Sequence, residues 1–273
     1  MAYDDFDQPS RAKPLIAAAA AIVAAGVGGW LYWRSHHAMP TVPAEVPPEA
    51  AAPAPEARIE HPVPAAPGAA NAVLPDLNDS DKAVIDALGD AAQGSALAQY
   101  LVPENVIRHI VVTADNLPRQ KIGVDKRPVT PAPGAFIADG DELHATLDKR
   151  NFRRYDPMVE VIRKADMQRM AAVYLRFYPL FQQAYQDLGY PTGYFNDRVV
   201  KVIDLLLATP QITGPIDLVR PNVMYVFADP KLEALPAGQK LLIRMGPDNA
   251  MVVKEKLMEL RAIITAAPPK PSR

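Results

Sequence analysis

The stretch "DMQRMAAVYLRFYPLFQQAYQDLG", residues 166–189, decides the fold class. Its apolar side chains fall at 167, 170, 171, 174, 177, 178, 181, 185 and 188, the three-and-four spacing that aligns one face of an α-helix. Asp166 stands where a cap accepts the first backbone N–H groups, and Gly189 where a left-handed residue ends a helix. Pro179 removes one N–H and is predicted to kink the helix or divide it in two. Tyr174, Phe177, Tyr178, Phe181 and Tyr185 share one face, and such a stripe is predicted to pack inward.

The chain continues "YPTGYFNDRVVKVIDLLL" over 190–207. Asn196 is predicted as the N-cap of a second helix, with Asp197 in the first turn, where its charge favours the helix dipole. Phe195 and Val200 then have the spacing of a hydrophobic staple. Arg198 alone is not accounted for by a helix start. Tyr190, Tyr194 and Phe195 sit in the turn and are harder to bury completely.

Further helices are predicted on both sides. Ser80 or Asp79 can cap one that Gly89 or Gly94 interrupts. Another opens at Pro103 and ends before Pro118, and a short one has Asp156 as cap and Pro157 as its first residue. Asp229-Pro230 and Gly246-Pro247 begin the last ones. Extended structure is predicted within 119–147, with Asp139-Gly140 turning a small hairpin, and in "IDLVRPNVMYVFAD", 216–229, as one or two short strands. The fold class expected is mainly α: a helical globular domain over 76–265 with minor β-hairpin or short-strand elements.

Ahead of that domain, residues 15–33 form an uncharged run of 19, "LIAAAAAIVAAGVGGWLYW". As a helix it would measure roughly 28 Å, close to the bilayer's hydrocarbon thickness. Trp30, Tyr32 and Trp33 suit an interfacial aromatic belt, and Arg11 and Lys13 before the run put residues 1–14 in the cytoplasm. A single transmembrane helix is therefore expected. A cleaved signal peptide is the alternative, but its apolar core is about 7–15 residues and would not end in Trp-Leu-Tyr-Trp. Residues 34–75 are Pro/Ala-rich and poor in large apolar residues, so a disordered linker is expected, reaching on the order of 100 Å if fully extended. A spacer explains its prolines better than an SH3-type ligand does. Residues 266–273 are expected to be a disordered tail.

The chemical inventory is thin. With no cysteine, disulfides and thiolate chemistry are excluded. A net charge of −2 gives no nucleic-acid footprint. There is no G-x-S-x-G, H-E-x-x-H, Walker A loop, dinucleotide fingerprint or EF-hand loop. No metal and no cofactor is expected. Paired acids remain, but Asp156 with Glu160 and Asp197 with Asp204 have ordinary helical spacings, whereas a glycosidase needs two carboxylates about 5–10 Å apart across a cleft. Ten of the seventeen Phe and Tyr residues lie between Phe152 and Phe195. A basic run from Lys149 to Arg176 accompanies them, interrupted by Asp156, Glu160 and Asp166, as on solvated helix faces.

The blocks "YLVPENVIRHIVVTADNLPR", "NFRRYDPMV", "YPLFQQAYQDLGYPTGYFNDRVVKVIDLLLATP" and "FADPKLEALPAGQKLLIRMGPDNA", with the N-terminal run, resemble bacterial domain-of-unknown-function family 3014 over about residues 76–264. The resemblance implies a bacterial envelope protein with a single anchor, hence an inner-membrane location with the C-terminal domain periplasmic. It implies no activity and no catalytic residue. The function expected is non-enzymatic: the inner membrane engaged through 15–33, and a periplasmic domain binding peptidoglycan or an envelope protein. The alternatives are a carboxylate-dependent wall hydrolase or lyase, and a subunit of a membrane complex. Arg154, Tyr155, Tyr190, Tyr194 and Arg198 are the candidate binding residues.

Overall fold

The computed structural model describes residues 58–64, 73–92, 96–121, 123, 127–141 and 144–266. In chain order its elements are α1 (Asp81–Ala91), α2 (Val106–Asn116), β1 (Ala138–Gly140), β2 (Ala145–Leu147), α3 (Arg150–Arg153), α4 (Asp156–Lys164), α5 (Met167–Asp187), α6 (Phe195–Leu207), β3 (Asp217–Val219), β4 (Val226–Phe227), α7 (Pro230–Glu233), α8 (Ala237–Arg244) and α9 (Pro247–Ile264).

Helix α5 organises the core. Asp166 caps it, its carboxylate accepting from the N–H groups of Gln168 at 2.9 Å and Arg169 at 3.2 Å. Pro179 neither ends nor divides it. That residue is exposed, so its ring lies on the solvent side of the helix, where bending away from the core accommodates a lost hydrogen bond. The aromatic stripe turns inward: Phe177, Tyr178, Phe181 and Tyr185 are buried. They pack with Val106, Ile107 and Val111 of α2 and Phe195 of α6. Helix α9 lies against α4, α5, α6 and α8, and its Ile264 is buried with Ala171, Val200 and Ile203.

Helix starts depart from local expectation where a distant group wins. The second helix begins at Val106, not Pro103, because Asp81 of α1 accepts from the N–H groups of Asn105 at 2.7 Å and Val106 at 2.8 Å. A carboxylate twenty-five residues earlier outweighs the preference of proline for a first turn. Ser80 precedes α1, but its hydroxyl donates to the Leu77 carbonyl rather than capping.

The expected fold class needs correction. Instead of a small hairpin and separate short strands, the strands join in one antiparallel sheet of order β1-β2-β3-β4. Residues 145 and 146 pair with 218 and 217, and Leu147 N–H extends the ladder by donating to the Ile216 carbonyl at 2.8 Å. Joining them buries Leu147, Leu218 and Phe227 against Ile243 of α8, which isolated hairpins could not do. Asp139 and Gly140 lie within β1, so the turn follows them. Among the described residues no helix is long and apolar enough to cross a membrane; α5 has 21 residues but carries Arg169, Arg176 and Asp187. The predicted transmembrane helix over 15–33 lies outside the described residues, as do 1–14. What is described is a mainly helical globular domain with one small antiparallel sheet. Residues 58–64 and 73–75, within the stretch expected to be a linker, are described, and 58–64 are hydrogen-bonded to α6.

Gly246 precedes α9 with φ +87°, and a Cβ there would meet the Phe152 ring at 2.5 Å. Gly246→Ala is expected to cost about 2–4 kcal/mol from backbone strain and the clash together. A lowered urea midpoint at unchanged m-value measures it; an unchanged midpoint contradicts it.

Candidate functional site

The five candidate residues are engaged within the chain. Arg154 donates from Nε to the Pro133 carbonyl at 2.8 Å, and from Nη2 to the carbonyls of Gly134 at 2.9 Å and Ala132 at 3.3 Å. It holds the segment ahead of β1 rather than a ligand. Tyr155 packs against Val202, Leu206, Leu242 and Met245. Tyr190 stacks on Tyr185 with ring centroids 4.6 Å apart. Its hydroxyl donates to Asp115 Oδ2 at 3.3 Å. Tyr194 OH accepts from the Val63 N–H at 3.0 Å.

Arg198, the residue a helix start does not explain, reaches Asp115 of α2. Its Nη2 donates to the Asp115 carbonyl at 2.6 Å and lies 3.0 Å from Oδ1. Arg119 Nη2 donates to Oδ2 at 2.6 Å. Asp115 is 2% exposed, so its charge is compensated from both sides, as a buried carboxylate requires.

Asn196 is not the N-cap. Tyr194 holds that position, and Asn196 is fully buried in the first turn. Its Oδ1 accepts from Tyr174 OH at 3.0 Å. Its Nδ2 donates to the carbonyls of His61 at 2.8 Å and Ile264 at 3.2 Å. One amide thus joins α5, the C-terminal end of α9 and segment 58–64. Burial raises the Tyr174 hydroxyl well above the ordinary phenol range, so it acts as a neutral donor.

The space open to a ligand lies elsewhere. A cleft of about 910 Å³ separates β2 and α3 from loop 209–216, α8 and the first turns of α9. That size falls within the roughly 300–1,000 Å³ of ligand pockets. Leu147, Phe152, Ile216, Leu242 and Ile243 line its inner part. Met251 and Met258 of α9 stand at its mouth, each 52% exposed. They are seven residues apart and therefore share a helix face. Loop 209–216, "TPQITGPI", is fixed at its ends. Lys254 Nζ donates to the Thr209 carbonyl at 2.6 Å, and the Ile216 carbonyl accepts from Leu147.

The charged rim carries Asp139, Asp148, Lys149, Lys254 and Glu255. Arg150 donates to Asp148 from Nη2 at 2.5 Å, from its backbone N–H at 2.7 Å and from Nε at 2.8 Å. The side-chain bond first, then the backbone one, holds the Asp148 carboxyl below its ordinary value. A general acid needs the opposite shift. Among the described residues no cluster of His, Asp or Glu could hold a metal ion. The cleft is built to bury apolar surface beside mixed charge.

The family model described as "Protein of unknown function (DUF3014)" matches residues 106–261, more than half of the 273. The chain belongs to this family. No curated protein and no solved structure matches it. The DUF3014 match runs from the start of α2 into α9 and therefore contains both the cleft and the α6 start. Sequence reasoning missed the cleft because residues from β1 to α9 form it. One signal was present: α9 carries Met251 and Met258 seven residues apart on one face, clear of the buried Val252 and Ile264.

Proposed function

We propose that the domain is a non-enzymatic binding module of the bacterial cell envelope, and that its cleft takes an apolar segment of a protein partner. The observation that carries this reading is the pair of half-exposed methionines above an apolar interior. Methionine adapts its shape to irregular partners and is favoured at such surfaces. Among the described residues Phe152 is the one aromatic that lines the cleft, whereas a glycan site offers ring platforms for stacking. An ionised Asp148 tied to Arg150 gives no support to the hydrolase alternative. Support for an envelope location comes from the uncharged sequence 15–33 and the basic residues Arg11 and Lys13.

Sedimentation with purified peptidoglycan sacculi tests the reading. The protein is expected to remain in solution and to release no muropeptides. Saturable sedimentation would replace the protein partner with wall polymer, and muropeptide release would replace the binder with an enzyme. The double variant Met251→Asp, Met258→Asp is expected to unfold within about 0.5 kcal/mol of wild type, as exposed substitutions do, while losing partner binding. Binding unchanged in that variant would place the partner elsewhere.

A further inference from the structure

Segment 58–64 sits on a built seat at the start of α6. The Asp197 carboxylate accepts from two consecutive backbone N–H groups, those of Glu60 at 3.1 Å and His61 at 2.6 Å. Tyr194 OH accepts from the Val63 N–H at 3.0 Å, and Asn196 Nδ2 donates to the His61 carbonyl at 2.8 Å. Pro62 and Pro64 have no N–H to place. Side chains add two contacts: Glu60 pairs with Lys201 at 3.1 Å, and Val63 packs on the aromatic core. Polar groups here therefore read main chain, one charge and one small apolar residue. Main-chain recognition tolerates many sequences, the principle by which proteins bind peptide segments.

The seat's polar groups belong to α6 and to the turn before it, whereas its occupant lies more than 130 residues earlier in the chain. Tyr194 does not cap α6 through its side chain; its hydroxyl and the Asp197 carboxylate meet the segment. We propose that this seat is a peptide-binding site with 58–64 as its resident, displaceable occupant. It takes in trans a peptide of the same pattern: an acidic residue followed three positions later by a small apolar one. Opening of the segment exposes the Asp197 carboxylate, Tyr194 OH and Asn196 Nδ2 together, so a partner peptide competes for a preformed set of groups. This proposal is independent of the cleft.

The test uses the full chain and a fluorescein-labelled peptide of residues 57–65. The variant Glu60→Lys, Val63→Asp unseats the segment and leaves the seat untouched. It is expected to bind the peptide about tenfold or more tightly than wild type, because a resident competitor lowers apparent affinity by the fraction of sites it occupies. Asp197→Ala in the same background is expected to abolish the gain. Lys201→Glu is expected to weaken binding, and a peptide with Lys at the Glu60 position to restore it. A folded unseated variant that binds no better than wild type overturns the proposal, and so does a gain indifferent to Asp197→Ala. If the unseated variant fails to fold, hydrogen exchange on the wild-type chain decides. Amides 60, 61 and 63 exchanging much faster than those within α6 mark a displaceable segment, and equal protection marks a fixed element and overturns the proposal.

Discussion

Asp115→Ala is expected to lower the free energy of unfolding by about 3–5 kcal/mol, the range for breaking a buried charge pair from one side. Asp115 is 2% exposed and faces Arg119, Arg198 and Tyr190. Arg119 can turn to solvent, since its side chain is 58% exposed. Arg198 has less freedom: its Nη2 is held by the Asp115 carbonyl at 2.6 Å, and its Nε is buried without a hydrogen-bond partner. Removing the carboxylate leaves that guanidinium, 27% exposed, between α2 and α6 without its ion-pair partner. The companion Arg198→Met keeps the volume and leaves the carboxylate still paired with Arg119 and hydrogen-bonded by Tyr190, so it is expected to cost less than Asp115→Ala. Urea denaturation at pH 7 measures both. A loss below about 1 kcal/mol for Asp115→Ala would show the pair to be no better than a surface salt bridge.

Phe195→Ala is expected to cost about 3–5 kcal/mol, as truncations of fully buried phenylalanines do. Phe195 has no exposed surface. Its ring stacks on Phe181 at 5.9 Å with an interplanar angle of 3°, and meets Tyr185 at 5.4 Å and Tyr174 at 6.5 Å. Rings on α5 cannot close the gap without moving a 21-residue helix, so a cavity remains and adds to the lost transfer energy. Phe195→Leu keeps much of the volume and is expected to cost distinctly less. A chain that loses under about 1.5 kcal/mol on Phe195→Ala would show that this centre repacks freely, contrary to the stacked geometry.

Local signals carried the parts of this fold that local forces make. Asp166 caps α5 as its place in the sequence predicts, and Gly189, with φ +113°, follows the end of that helix. The inward aromatic stripe was legible for the same reason: its spacing is a property of one helix. What the sequence could not show was partner choice between distant segments. Nothing near Pro103 announces that Asp81 will cap α2, and nothing in "ATL" and "DLV" states that β2 and β3 will pair. Tyr194, Asn196 and Asp197 look like an ordinary helix start because their partners lie about 130 residues earlier in the chain. The cleft was invisible on the same grounds, except for the exposed pair Met251 and Met258 on one face of α9. Candidates chosen for aromatic and basic character were drawn toward residues that fasten the core, since those are the side chains a mostly helical interior needs for its own polar ends.

The most direct test of a partner-binding cleft is photocrosslinking in cells from a benzophenone side chain at Met251 or Met258, with the exposed Lys82 of α1 as the control position. A discrete adduct is predicted from both cleft positions, absent from Lys82 and lost from the Met251 probe when Met258 is changed to Asp. Adducts indistinguishable between cleft and control, or none from the cleft while the control labels a partner, would contradict it.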